Sequence, residues 1–238
     1  MSGPRRTSKP PRQLYFAYGS NLWLKQMAAR CPNSYYLGRA ILTDHCWQIN
    51  ERGYANIVPA SGFTVHGLIY ELGEGDEPCL DRSEGVSSGA YSKEYKSVIL
   101  HFASPSLQIR TQWLVEDGGP ERAMDAARLR RESVREWEAC ICPDILVYVS
   151  HNFVRRGQPR DEYISRMNSG IKDALAMGIP EDFFDNTVHN WIPKSLVETH
   201  VNHRVSRLSH AAPRTPSSSE QRRSKSVGGE KPRFGTRK

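Results

Sequence analysis

No run of 18 or more apolar residues occurs in this chain of 238 residues, so no membrane-spanning helix is expected. The first residues, Met1-Ser2-Gly3-Pro4-Arg5-Arg6, lack the apolar core of a signal peptide. They are basic and free of acids, as transit peptides are, but Pro4, Pro10 and Pro11 break any amphipathic helix there. Cysteine is sparse: the five (31, 46, 79, 140 and 142) make an odd set without framework spacing, which suits a reducing compartment and predicts a cytoplasmic protein. GxGxxG, the P-loop lysine motif, HExxH and the GxSxG elbow are all missing, which removes the common nucleotide, zinc-protease and serine-hydrolase chemistries. Cys140-x-Cys142 and His200-x-x-His203 each offer two potential ligands but no second pair at zinc-site spacing, so they read as core cysteines and solvated histidines. No metal or organic cofactor is expected.

What is abundant is positive charge, and its distribution matters more than its total. The formal net charge is +7. Residues 1–13 carry four Lys/Arg and no acid, and residues 194–238 carry 11 Lys/Arg against three acids. Leu14 to Pro193 has 18 Lys/Arg and 23 Asp/Glu, a net of −5. A folded nucleic-acid module carries its basic stripe on the fold. Here the basicity sits in the tails, so no nucleic-acid partner is expected for the body, and no membrane partner. Segment 211–238 is rich in Pro, Ser, Gly and charge and nearly empty of apolar residues, too few to offset chain entropy, so the tail reads as mostly disordered. Arg222-Arg223-Ser224-Lys225-Ser226 within it is a candidate phosphorylation or localisation patch against a background of solvated disorder.

Between the tails, apolar runs alternate with turn residues. Leu14-Tyr15-Phe16-Ala17-Tyr18, stopped by Gly19-Ser20-Asn21, reads as a buried strand ending in a loop. Segments 40–50, 55–58, 63–72, 93–103, 109–115 and 144–150 read as further strands from their β-branched and aromatic content. Residues 120–139 read as a helix with Pro120 in its first turn. In 161–177, Tyr163, Met167, Ile171 and Leu175 recur every fourth residue ahead of Gly178, which predicts a second helix. Many strands with helices inserted and appended predict an α+β fold around a small mixed β-barrel or sheet with flanking helices.

Two segments carry candidate chemistry. A strand that breaks at Tyr18-Gly19-Ser20-Asn21-Leu22 leaves backbone N–H groups unpaired, a potential nest for a carboxylate or oxyanion. An ordinary connection, with Ser20 or Asn21 capping a helix from Leu22 to Arg30, is the commoner arrangement for such a segment alone. In Glu84-Gly85-Val86-Ser87-Ser88-Gly89-Ala90-Tyr91, a carboxylate precedes a Gly/Ser loop and a strand-opening tyrosine. Partial burial of Glu84 would raise its pKa from about 4.3 and improve it as a base. A solvated loop acid after a short helical turn is the bland alternative.

Together the two segments, YGSNL and EGVxSGxY, resemble the γ-glutamyl cyclotransferase family. Leu14–Leu22 is similar to that family's opening strand, Val65-His66-Gly67-Leu68-Ile69-Tyr70 to its VxGxxY strand, and Tyr163–Pro180 to its final helix and GLP-like stop. The similarity covers most of residues 14–193, which predicts one catalytic domain there, a basic arm at 1–13 and a basic tail at 194–238. Segment 104–142 is longer than in compact members and reads as an insertion. Asn21 sides with the branch acting on γ-glutamyl amino acids, since other branches have YGSL or YGTL.

The resemblance implies an enzyme that converts a γ-glutamyl amino acid or peptide to 5-oxoproline and the free amine. The substrate's own α-amine attacks, with Glu84 as general base. It implies that Tyr18, Gly19, Ser20, Asn21 and Leu22 bind the α-carboxylate and oxyanion, and that Gly89 and Tyr91 contribute across the pocket. The partner is then a small γ-glutamyl molecule, and oligomeric state stays open. Alternatives are a γ-glutamyl amine, glutathione or a glutathione conjugate as substrate. A non-catalytic ligand-binding module is a further one, although such a module has no need of a base in the Gly/Ser loop.

Overall fold

A computed structural model describes residues 13–129 and 139–194. The anticipated tail disorder, the Arg222–Ser226 patch, His200 and His203 therefore lie outside the described residues. The elements are β1 (Leu14–Ala17), α1 (Leu24–Arg30), β2 (Tyr35–Ile49), β3 (Ala55–Glu71), α2 (Asp76–Ser83), β4 (Ser92–Phe102), α3 (Thr111–Glu116), α4 (Gly119–Leu129), β5 (Cys140–Val149), α5 (Asp161–Ala176) and α6 (Glu181–Asn186).

The five strands close into a barrel in the order β1-β3-β2-β4-β5. Most pairs are antiparallel, and β5 closes the barrel by running parallel to β1 at Tyr15↔Leu146. Closure removes free sheet edges. Strand residues on both faces of the barrel wall are buried, among them Phe16, Leu68, Trp47, Ile57 and Leu146, all at most 1% exposed. Gly67 lets β1 approach β3 closely, since a Cβ there would collide with the Ala17 carbonyl and lie 2.6 Å from the Phe16 ring. Helix α5 packs on the outside with Tyr163, Met167 and Ile171 buried, as their spacing predicts. The expected α+β barrel with flanking helices is what the chain forms.

Four local expectations need correction. Segments 55–58 and 63–72 are one strand, β3, because the chain around Pro59 and Gly62 bulges without leaving the sheet; the Gly62 N–H donates to Asp44 Oδ1 at 3.0 Å. Segment 109–115 is not a strand. Only Arg110 bridges to Tyr35, after which Thr111–Glu116 is helical, burying Thr111 and Leu114 three residues apart on one face. Tertiary packing there outweighs the β propensity of Ile109, Thr111 and Val115. The helix expected over 120–139 is described only to Leu129, and Ala139 is not helical. Neither Ser20 nor Asn21 caps α1: residues Ser20–Leu22 form a 3₁₀ turn, and the Leu24 N–H at the start of α1 donates to Asp173 Oδ2 of α5 at 2.9 Å.

Candidate active site

Helix α2 ends at Glu84. Its N-terminus is pinned by Asp76, whose carboxylate accepts the N–H groups of Gly73 (2.8 Å) and Asn33 (3.2 Å). Leu80 buries its inner face, and the Tyr148 hydroxyl of β5 donates to Asp81 Oδ1 at 2.7 Å. Lys93 of β4 pairs with both Glu77 and Asp81 at 3.0 Å. Glu84 ends the helix, with its N–H donating to the Leu80 carbonyl at 2.8 Å. Gly85 follows in the left-handed region (φ 64°), which reverses the chain as only glycine does readily. The Ala90 N–H closes the loop on the Gly85 carbonyl at 3.0 Å.

The strand-end segment meets it from the other side. Tyr18 is a structural post: its hydroxyl donates to the Tyr148 carbonyl at 2.6 Å, and its own carbonyl accepts Trp47 Nε1 at 2.9 Å. Past Gly19, the Asn21 amide donates to the Tyr15 hydroxyl (2.9 Å) and to Glu84 Oε1 (3.3 Å). Asn21 Oδ1 accepts Arg30 Nη1 at 2.8 Å, and the same Nη1 lies 3.5 Å from Glu84 Oε1. The Glu84 side chain is 17% exposed. Burial raises its pKa, while Arg30, the Asn21 hydrogen bond and Arg166 oppose that rise. The result is a largely desolvated carboxylate held by directed partners, the environment of a general base.

Around this carboxylate lies a cavity of about 240 Å³. One wall turns on the backbone of Ala55. Its carbonyl accepts the Tyr91 hydroxyl at 2.6 Å, and its N–H donates to the Tyr163 hydroxyl oxygen at 3.2 Å. Having accepted that N–H, Tyr163 keeps its own O–H proton for donation. Arg166, on the next turn of α5, pairs with Glu162 at 2.8 Å and reaches Ser20 Oγ at 3.3 Å.

Six of the eight residues expected at the site line this cavity: Glu84, Tyr18, Gly19, Ser20, Asn21 and Tyr91. Two do not. Leu22 is fully buried in the core, where its Cβ faces Gly170 of α5. Gly89 adopts φ 69° to finish the 3₁₀ turn Val86–Ser88, and its carbonyl accepts Asn152 Nδ2 at 3.0 Å, away from the lining. Sequence reasoning missed Arg30, Arg52, Tyr148, Tyr163 and Arg166, which also line it. Tyr163 did stand out, but as the head of an apolar helical series; the arginines carried no local signal. Among the described residues no cluster of three or more His, Cys, Asp or Glu could hold a metal ion. Cys140 and Cys142 have sulfurs 3.3 Å apart and read as neighbours on one strand face.

A family model described as gamma-glutamyl cyclotransferase, AIG2-like, matches residues 15–117. Over those residues the chain is similar to that family. The match contains β1, the YGSN turn, α2 and Glu84, whereas Tyr148, Tyr163 and Arg166 lie beyond it. A gamma-glutamylcyclotransferase from Bos taurus is 32% identical over 88 residues, covering 33% of this chain and 47% of that protein. The Homo sapiens gamma-glutamylcyclotransferase is 30% identical over 102 residues, covering 38% and 54%. The chain thus spans about half the length of the curated relatives it matches.

A likeness of fold reaches past the aligned residues. A solved gamma-glutamyl cyclotransferase superposes with a TM-score of 0.54 at 19% identity, covering 80% of this chain and 98% of that one. A Homo sapiens crystal structure described only as an uncharacterized protein gives a TM-score of 0.54 at 20% identity, covering 78% and 90%. At such identities the likeness shows the cyclotransferase-like barrel and nothing about substrate.

Proposed function

We propose that this chain converts a γ-glutamyl amide to 5-oxoproline and a free amine, with Glu84 as acid–base catalyst. The observation that carries the reading is the largely buried Glu84 carboxylate, held 3.3 Å from the Asn21 amide in the lining of the cavity. The substrate supplies its own nucleophile. Its α-amine bonds to the γ-carbonyl carbon, the amide C–N bond breaks, and one five-membered lactam and one amine result. Glu84 removes a proton from the amine and returns one to the leaving nitrogen, so no water is consumed. Well-oriented intramolecular attack supplies about 7–11 kcal/mol of barrier reduction, which is why a single carboxylate suffices.

The donors for the oxyanion follow from hydrogen-bond counting. The backbone N–H groups of Ser20 and Asn21 open the 3₁₀ turn, and the Tyr163 and Tyr15 hydroxyls accept from Ala55 and Asn21 and keep their own protons, so these are the candidate donors. Tyr91 spends its proton on Ala55 and supports the wall.

The test is incubation with γ-glutamyl dipeptides and with the same compounds acetylated on the α-amine. Free substrates should release 5-oxoproline and the blocked ones should be inert. A hydrolase would instead release acetyl-glutamate from the blocked compounds at a comparable rate, and that result removes the cyclisation reading.

A further inference from the structure

The turn between β2 and β3 brings an unclaimed cation to the cavity wall. Arg52 is fixed through its backbone: its N–H donates to Asn50 Oδ1 at 3.0 Å and its carbonyl accepts Arg160 Nε at 2.9 Å. Its side chain runs between two rings, the guanidinium carbon 4.9 Å from the Phe153 centroid and 5.9 Å from that of Tyr54. Nη1 is buried without a hydrogen-bond partner. Among the described residues no carboxylate pairs with it: neighbouring Glu51 turns Oε1 to Arg155 at 3.3 Å, and its Oε2 is buried without a hydrogen-bond partner.

The cavity's other guanidinium groups are engaged. Arg30 holds Asn21 and Glu84, Arg166 holds Glu162 and Ser20, and exposed Arg82 reaches Cys79. Leaving a buried guanidinium donor unpaired is unfavourable, and the planar fork of arginine fits a carboxylate with two parallel bonds. Position narrows which carboxylate. Arg30 and Arg166 act electrostatically on Glu84, whereas Arg52 acts on the hydroxyl of Tyr91. The glutamyl amine must sit at Glu84, so the substituent on the amide nitrogen is the part free to extend toward Arg52.

We propose that Arg52 binds the carboxylate of the amino acid released from the γ-glutamyl amide, making the site selective for γ-glutamyl amino acids over γ-glutamyl amines. This assignment rests on the cyclotransferase reading for which end of the substrate Glu84 holds.

Two substrates that differ only in this carboxylate, γ-glutamyl-alanine and γ-glutamyl-ethylamine, provide the test. The wild-type kcat/KM ratio should favour γ-glutamyl-alanine by on the order of 10–100-fold, the range of a hydrogen-bonded charge pair. Arg52→Gln should collapse that ratio toward one, chiefly through KM. Arg52→Met, which keeps the apolar stem packed against Phe153, should do the same if the Gln variant folds poorly. Equal losses on both substrates, or an unchanged ratio, overturn the assignment. Calorimetric binding in a Glu84→Gln background gives a readout without turnover. There γ-glutamyl-alanine should bind more tightly than γ-glutamyl-ethylamine, and adding Arg52→Gln should abolish the difference. Discriminated binding with no 5-oxoproline from the wild type would remove the reaction and keep Arg52; cyclisation of both compounds without preference would do the reverse.

Discussion

The Asn21 amide lies 3.3 Å from Glu84 Oε1, joining two loops 63 residues apart in the chain. That contact ties the end of β1 to the end of α2 and sets the orientation of the carboxylate. Arg30 completes the triangle, touching both partners.

Glu84→Gln keeps the size and the contact with Asn21 but removes the carboxylate proposed as the base. Turnover should fall by about 10²–10⁴-fold, the usual loss when general-base catalysis is deleted. Circular dichroism and the thermal midpoint should stay close to wild type, because the helix-ending backbone bond to Leu80 does not involve the side chain. Near-normal activity in the folded variant would remove Glu84 as the base.

Arg30→Gln tests the charge balance at the base. Burial raises the Glu84 pKa and Arg30 is the leading influence against it. Deleting the guanidinium destabilises the ionised carboxylate, so the pKa rises further. The acid limb of the kcat/KM profile should therefore move to higher pH, with the largest rate loss at the acid end. A limb that stays put would mean that Arg30 acts only by positioning Asn21.

Tyr163→Phe removes a phenolic proton available for donation while keeping the ring against Tyr54, whose centroid is 5.2 Å away. Loss of an oxyanion donor lowers kcat by about 10²-fold in comparable sites, with KM moving less. A pure KM effect would show that the hydroxyl only braces the Ala55 backbone.

Asp173 gives a pH dependence of stability. Burial pushes its carboxyl from 3.8 up to about 6, against the Leu24 N–H it accepts and nearby Lys172. A folded pKa above the unfolded one favours the native state fully below pH ~4, and that advantage is lost as pH rises through about 6. Asp173→Asn keeps an acceptor for Leu24 without the charge. Its stability relative to wild type should be unchanged near pH 4 and higher by about 1–2 kcal/mol at pH 7, allowing for solvent screening. Urea titrations at the two pH values check this.

Much of the barrel was legible because strands and amphipathic helices write their burial as a period along the chain. Leu14–Ala17, Ser92–Phe102 and Asp161–Ala176 are each predicted within a residue or two of where they form. The failure at 109–115 is of a different kind: Thr111 and Leu114 suit a strand or a helix, and contact with Ser34 and α1 selects the helix. A short apolar run cannot state which neighbour will cover it.

The candidate site divides in the same way. The two turns are readable from residue order, since Gly19-Ser20-Asn21 and Glu84-Gly85 announce chain reversals with polar groups at their ends. That Leu22 turns into the core, that Gly89 serves its own loop, and that Arg30, Arg52 and Arg166 line one cavity emerges from the folded chain. The difference is one of range. Backbone conformation at a glycine is a local property, whereas the partner of a long guanidinium side chain depends on how distant strands close the barrel and which carboxylates that closure leaves within reach.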